Sequence, residues 1–411
     1  MISYNKALKI LLSSKIKIKN EVVLSKNSSH RIAAKNIYSP SNHPLANNTA
    51  FDGFAINSKD TNKLSKKNFK KFKIIKTIAA GDNPNIKKIK KFSTIEVMTG
   101  AIIKKPFDTI IPIEKIKFYP NNKNRKYILI GQKIRKNKYI RFLGSDYKKK
   151  EIVIKKGQLI NSSHVLALKT LGIKKIEVKK KININFYSTG NEITNKEKVP
   201  LWKVRNSNAH YLNSLTKKMP IVFAEKVILR DKDELKFKKE LIKNIKSKTN
   251  IIITSGAVSA GKFDFIPKVI KKIKLKKYFK GVAIRPGKPI MFAKFKNNKV
   301  FFGLPGNPIS SASCFRFFII PFLFNSLGMP KERPITSRLT NSFIKKKKFT
   351  RFIKGKINIT NKGIVKFKVL TGQESFKINS FTRSNSWGLF PSGKSKFKKG
   401  NLIKCYATSL F

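Results

Sequence analysis

The chain has 411 residues, too many for one ordinary core, and roughly two to four domains are expected. Its formal charge of +72, from 92 Lys plus Arg against 20 Asp plus Glu, would suit a polyanion partner. Lysine is spread over almost every segment, however, which excludes a specific nucleic-acid binder with one basic stacking face. Ile, Asn and Phe are abundant as well, residues with A/T-rich codons, so biased mutation in an A/T-rich genome explains much of the charge. Weak nonspecific nucleic-acid affinity at low salt is the expected side effect. Cys314 and Cys405 lie far apart and the histidines are scattered, which excludes a zinc framework or disulfide scaffold and makes the cytoplasm the expected compartment. Residues 1–7 lack the apolar core of a signal peptide. The most apolar segment, Ile309 to Leu327, contains Arg316, Pro321 and Asn325, and reads as a helix buried in the core or in a subunit interface in preference to a membrane span.

In chain order, Ser3 to Leu12 predicts a helix, with Ala7, Leu8, Leu11 and Leu12 on one side and Ser3 as cap. Val22 to Ile37 reads as strand and turn, and Pro40 and Pro44 mark a boundary. Residues 52–135 hold short alternating runs such as Phe72–Ile74 and Tyr127–Ile130, the pattern of a small β-rich unit. Asp52-Gly53, Ala80-Gly81-Asp82, Met98-Thr99-Gly100 and Glu114 lie in it; Thr99 is placed to donate to a phosphate oxygen or to its own backbone. Arg141 suits bidentate binding of an oxyanion, and Asp146 suits holding that Arg or a metal. A helix is expected from Ser163 to Leu171, closed by Gly172.

From residue 181 to 327 short apolar runs end in loops of small residues, the pattern of a parallel sheet with ligand loops at its carboxyl ends. Ile251, Ile252 and Ile253 run into Thr254, Ser255, Gly256, Ser259, Gly261 and Asp264; Ile184 to Tyr187 runs into Ser188, Thr189, Gly190, Asn191 and Glu192. Val300 to Phe302 leads to Pro305, Gly306, Asn307 and Pro308, and Val282 to Ile284 reads as a strand before Arg285-Pro286-Gly287-Lys288. Strands are also expected at Ile221–Ile228, and helices at Asn208–Met219 and Asp233–Ile245. Such loops can hold an anion and such carboxylates a divalent metal. Alternating runs return after Arg333, implying a small C-terminal β-barrel.

These motifs, in this order, resemble the molybdopterin molybdenumtransferases of molybdenum cofactor synthesis, relatives of the C-terminal domain of gephyrin. Ser-Thr-Gly-Asn-Glu at 188–192, Arg-Pro-Gly-Lys-Pro at 285–289, Gly-Leu-Pro-Gly-Asn-Pro at 303–308 and the 254–264 loop carry the likeness. The segment around Asp52, Met-Thr-Gly-Ala at 98–101 and the run from Arg141 to Asp146 extend it. The resemblance implies a multidomain α/β plus β chain, with an elongated N-terminal domain from 1–51 and 136–180, a β-rich insertion at 52–135, an α/β molybdopterin-binding domain at 181–327 and a β-barrel at 328–411.

The implied reaction takes adenylylated molybdopterin and molybdate, inserts molybdenum and releases AMP with Mg²⁺. The implied Mg²⁺ and adenylate ligands are Glu192, Asp231 and Asp264. Arg285 and Lys288 would neutralise oxyanions, and Ser188, Thr189, Gly190, Ser255, Gly256, Ser259, Pro305, Gly306, Asn307, Pro308 and Ser375 would line the substrate. Asp52, Thr99, Arg141 and Asp146 would complete the site from a partner subunit, which implies a homodimer; contact with the molybdopterin adenylyltransferase is also implied. Ser145 where Glu is usual, Asn191 where Asp is usual, Ala257 for a second glycine and Lys232 for a second Asp depart from the family pattern. Ala257 matters most if its position needs positive φ. The competing readings are an adenylyltransferase of the same fold and a scaffold that has lost turnover.

Overall fold

The computed structural model describes residues 1–258 and 264–409. They form two compact units, one of residues 36–154 with 166–174, the other of residues 1–35, 155–165 and 175–411.

In the smaller unit, β1 (Gly53–Ile56), β2 (Lys70–Ile78), β3 (Ser93–Val97), β4 (Thr109–Pro112), β5 (Lys117–Pro120) and β6 (Arg125–Ile130) make one sheet in the order β4-β1-β3-β2-β6-β5. Alternation sends Ala55, Ile95, Val97 and Ile110 into one apolar cluster and Phe54, Ile56, Phe72 and Ile128 into another, so both faces are covered. Gly53 is needed where β1 meets β4, since a Cβ there would lie 2.1 Å from the Ile111 carbonyl oxygen.

The larger unit opens with α1 (Tyr4–Leu12), whose Ser3 cap accepts a hydrogen bond from the Lys6 amide at 3.2 Å. The strands that follow are β7 (Ile182–Ser188), β8 (Ile221–Glu225), β9 (Ile251–Ser255), β10 (Leu275–Lys280), β11 (Ile284–Arg285), β12 (Met291–Phe295) and β13 (Val300–Leu304). The central sheet runs β8-β7-β9-β13-β12-β10, its first four strands parallel and β12 antiparallel to both of its neighbours, β13 and β10. Ile251, Ile252 and Ile253 are all buried, as an unalternating run in a sheet with two covered faces requires. Helix α2 (Ser207–Thr216) puts Ala209 and Leu212 on one face with α1, and α3 (Glu234–Lys246) puts Phe237 and Leu241 on the other.

One expectation needs correction, and the sheet has two further strands. The run Val282–Ile284 is no strand of this sheet: β11 is two residues long, stops at Pro286, and pairs in parallel with Thr350–Arg351. Strands β10 and β12 were not anticipated, because Lys276, Lys277 and Lys280 break up the apolar signal of β10. Lysines on an outermost strand block further pairing, which is where they stand here.

One 20-residue helix, Pro308–Leu327, is long and apolar enough to cross a membrane, yet 89% of its apolar window is buried inside the protein. It consists of α4 (Pro308–Cys314), a π-helical turn (Phe315–Ile319) and α5 (Ile320–Leu327). Pro321 has no N–H for the Phe317 carbonyl, and the Tyr4 hydroxyl lies 3.5 Å from that oxygen instead. The chain ends in β14 (Ile335–Leu339), β15 (Thr350–Ile359), β16 (Val365–Val369), β17 (Ser386–Phe390) and β18 (Leu402–Ala407). Pairing runs β15-β16-β14-β18-β17 and back to β15, a closed five-stranded barrel filled by Leu339, Ile353, Phe367 and Phe390. Phe317 of the π-turn stacks on Phe352 of the barrel with ring centroids 3.9 Å apart.

Candidate functional site

The carboxyl ends of β7, β9 and β13 lie side by side, and their loops are stitched by hydrogen bonds. The Thr189 amide and hydroxyl both donate to the Ser255 carbonyl, at 3.0 and 2.9 Å, and the Gly256 amide donates to the Leu304 carbonyl at 2.8 Å. Gly256 has φ +103, and a Cβ there would stand 2.4 Å from the Thr189 hydroxyl, so this close approach needs glycine. Ala257 follows with φ +51, a left-handed conformation that costs a side chain roughly 1–2 kcal/mol. Its departure from glycine therefore falls where glycine would be preferred.

Asn206 and Asn208, which belong to none of the sequence motifs, bind the cluster together. Asn208 Nδ2 donates to Ser255 Oγ at 2.7 Å and to the Gly306 carbonyl at 2.8 Å. Ser188 Oγ donates to Asn206 Oδ1 at 2.7 Å, and Asn206 Nδ2 donates in turn to Glu225. The hydroxyls of Ser188, Thr189 and Ser255 are thus engaged within the protein, where they hold the loops in place. The only sequence signal for the pair was two asparagines flanking a helix start.

Arg230 Nη1 donates to the carbonyls of Gly190, Asn191 and Ile193, at 3.2, 3.1 and 2.9 Å, and the Asp231 amide donates to Asn191 Oδ1 at 3.2 Å. Glu192 and Asp231 consequently sit on loops fastened to each other. The Glu192 carboxylate lies against the Cα of Gly190, where a Cβ would meet it at 2.4 Å. Among the described residues no three Asp, Glu, His or Cys side chains converge as metal ligands, so Glu192, Asp231 and Asp264 do not form a three-carboxylate cage. Ser259 lies outside the described residues.

Asn307 stands at the N-cap position of α4, and its Nδ2 donates to Ser375 Oγ of the C-terminal segment at 3.2 Å. Pro305 is buried, while Gly306 and Asn307 are exposed beside the Gly256 Cα, 3.7 Å from where a Gly306 Cβ would stand. Pro308 supplies the first helical residue, where its missing N–H costs nothing. Arg285 and Lys288 are exposed; the turn between them is seated through Gly287, where a Cβ would be 2.4 Å from Cys314 Sγ. The Arg285 guanidinium lies 4.8 Å over the Phe349 ring, and Arg351 is pushed below the usual guanidinium range first by burial and then by Arg285.

In the smaller unit, Asp52 Oδ1 accepts hydrogen bonds from the Thr99 amide at 2.6 Å and the Thr99 hydroxyl at 2.7 Å. These two bonds, the backbone one first, hold its carboxyl below the usual carboxylate range. Arg141 pairs through its backbone with Asn48, next to Thr49, whose carbonyl accepts from the Gly100 amide at 3.0 Å. Asp52, Thr99 and Arg141 therefore come from neighbouring loops. No ion pair joins Arg141 to Asp146, both of which are exposed; the Asp146 amide instead donates to the His43 carbonyl at 3.0 Å.

Residues 2–172 match the family described as MoeA N-terminal region (domain I and II), and residues 185–325 match one described as a probable molybdopterin binding domain. A molybdopterin molybdenumtransferase of Staphylococcus epidermidis strain RP62A is 30% identical over 411 residues, spanning 99% of this chain and 96% of its own. One from Staphylococcus aureus strain Mu50 is 30% identical over 391 residues, 94% and 90% of the two chains. Among solved structures, the molybdopterin biosynthesis MoeA protein of Pyrococcus horikoshii OT3 superposes with a TM-score of 0.82 at 25% identity, covering 99% of this chain and 100% of that one. A molybdenum cofactor biosynthesis protein of Pyrococcus furiosus, 17% identical with a TM-score of 0.59, shares the fold over 98% of both chains.

Proposed function

Because this chain belongs to the MoeA family of molybdopterin molybdenumtransferases, transferases of molybdenum cofactor biosynthesis, we propose that it inserts molybdenum from molybdate into adenylylated molybdopterin with Mg²⁺-dependent release of AMP. The observation that carries this reading is the fastening of the Glu192 and Asp231 loops to each other by Arg230, at the same sheet edge as the Gly256 and Gly306 loops. Phosphate oxygens suit exposed backbone amides beside a helix start, and Gly306 and Asn307, exposed just before Pro308, carry such amides.

Hard carboxylate oxygens fit Mg²⁺, which commonly takes one or two carboxylates and completes its shell with substrate phosphate and water. Glu192, Asp231 and Asp264 are the residues proposed to hold it, without a ready-made cage. Bound there, the ion would shield charge on the phosphate that leaves as AMP. Arg285 and Lys288 are proposed to neutralise the molybdate and phosphate oxyanions, with Ser375 and Asn307 closing the substrate side. Asp52, Thr99, Arg141 and Asp146 are proposed to act from a second copy in a homodimer. This reading needs no covalent nucleophile: catalysis rests on positioning and on electrostatics. The cytoplasm and contact with the molybdopterin adenylyltransferase belong to the same proposal.

Incubation of the purified chain with adenylylated molybdopterin, molybdate and Mg²⁺, following AMP and completed cofactor, tests it. Both products should form, and Asp264→Ala and Asp52→Ala should each abolish them. Unchanged rates in both variants would sink the assignment, and absence of AMP in the wild type would leave a scaffold.

A further inference from the structure

The loop that leaves Glu192 has an unusual tip. Ile193–Thr194 pairs with Val204–Arg205, and residues 195–203 between them form a loop with close ends. That loop is fastened to the candidate site: the Val204 amide donates to the Glu192 carbonyl at 2.8 Å, and Lys203 Nζ donates to the Asn191 carbonyl. At the turn, closed by the Lys203 amide on the Pro200 carbonyl at 2.9 Å, stand Leu201 and Trp202, with relative exposures of 103% and 75%. The chain has only two tryptophans, and the other, Trp387, is wholly buried.

We propose that Trp202 is the stacking platform for the adenine ring of the adenylylated substrate, a specificity-determining contact at the edge of the Glu192 loop. This rests on the reading above, in which the adenylate lies at Glu192. An indole face left in water and held two residues from a backbone bond to Glu192 is placed for a flat ring. Purines offer a π face that stacks without needing hydrogen-bond readout. Lys196, Lys198 and Lys203 outweigh Glu197, the one acidic residue of the same loop, and leave it the positive charge that an adenylate phosphate favours. The ties to Asn191 and Glu192 keep the platform from drifting on a free tether.

Intrinsic fluorescence tests it directly, since Trp387 is shielded and changes in emission on ligand addition report Trp202. The full chain is titrated with AMP and Mg²⁺, with calorimetry in parallel. The expected result is quenching on AMP addition, loss of that signal in Trp202→Phe with affinity held within about threefold, and about tenfold weaker AMP binding in Trp202→Ala. AMP that binds the wild type with emission unchanged, together with wild-type affinity in Trp202→Ala, would overturn the stacking alone. Quenching by a free pterin and not by AMP would overturn it too, assigning the platform to the other ring. A wild-type chain that binds no AMP by calorimetry would bring down the adenylate reading itself, and this inference with it.

Discussion

Asp52 and Thr99 are joined twice at a single carboxylate oxygen, by the threonine amide at 2.6 Å and its hydroxyl at 2.7 Å. Both donors favour the charged form, so the Asp52 carboxyl stays ionised below its ordinary range. Its contribution to the folded state is complete above the unfolded-state pKa and is lost as pH falls through the lower folded value. Thr99→Val removes the hydroxyl and keeps the amide. Carbon-detected NMR of the Asp52 carboxyl should show its titration midpoint move upward, and the acid limb of the activity profile should move with it. Superimposable titration curves would show that the hydroxyl bond contributes nothing.

Adjacent positions in the 256–257 turn should respond with very different magnitudes. Gly256→Ala puts a Cβ 2.4 Å from the Thr189 hydroxyl at φ +103 and should cost about 2–3 kcal/mol of stability and most of the activity. Ala257→Gly relieves a residue at φ +51 but gives up a partly buried methyl and stiffness of the unfolded chain, for a net change within about 0.5 kcal/mol of zero. Urea midpoints of the two variants check this; a Gly256→Ala protein as stable as the wild type would contradict it.

Arg316 is 1% exposed and grips both oxygens of Glu332 while its Nε donates to the Ala407 carbonyl at 3.0 Å. Glu332→Ala strands a buried guanidinium and should cost about 3 kcal/mol, the low end for a broken buried pair because the Glu332 side chain is 30% exposed. Replacing both, as Arg316→Met with Glu332→Leu, should recover most of that loss. Chemical denaturation of the single and double variants measures the difference, and an equally unstable double variant would mean that packing, not charge, is at stake.

Lys354 is 1% exposed on β15, and its ammonium donates to the carbonyls of Glu374 at 3.1 Å and Lys377 at 3.0 Å, bracing the segment that carries Ser375. Burial lowers its pKa to about 8. Between that value and the unfolded-state value the unfolded chain binds the extra proton, so this group's share of stability rises with pH across the window. Lys354→Met removes the titration. The wild type should gain on the variant between about pH 8 and 10, by on the order of 1–3 kcal/mol. Parallel pH–stability curves would refute the assignment.

The parallel core was legible because β7, β9 and β13 are unalternating apolar runs that end in small residues, a pattern set by burial on two faces. The barrel was legible as a class, but its closure depends on β15 pairing with both β16 and β17, a long-range fact with no local signature. The misplaced Val282 run looked like its neighbours because apolar residues before a turn read alike in either sheet. Asn206, Asn208 and Arg230 went unweighted for a related reason: their partners lie up to 98 residues away, and only the fold brings them together. Arg141 and Asp146 show the converse, since proximity in sequence suggested a pairing that the backbone directs elsewhere.

The Arg230 guanidinium has a thermodynamic consequence for any ligand. Ordering one residue's backbone costs about 1–2 kcal/mol, and with the carbonyls of Gly190, Asn191 and Ile193 drawn to one nitrogen, that expense falls on folding. Were a molecule to dock beside Glu192, as proposed, it would surrender little conformational entropy of that loop. In a chain this rich in lysine, it is a single arginine nitrogen that holds the 190–193 loop together.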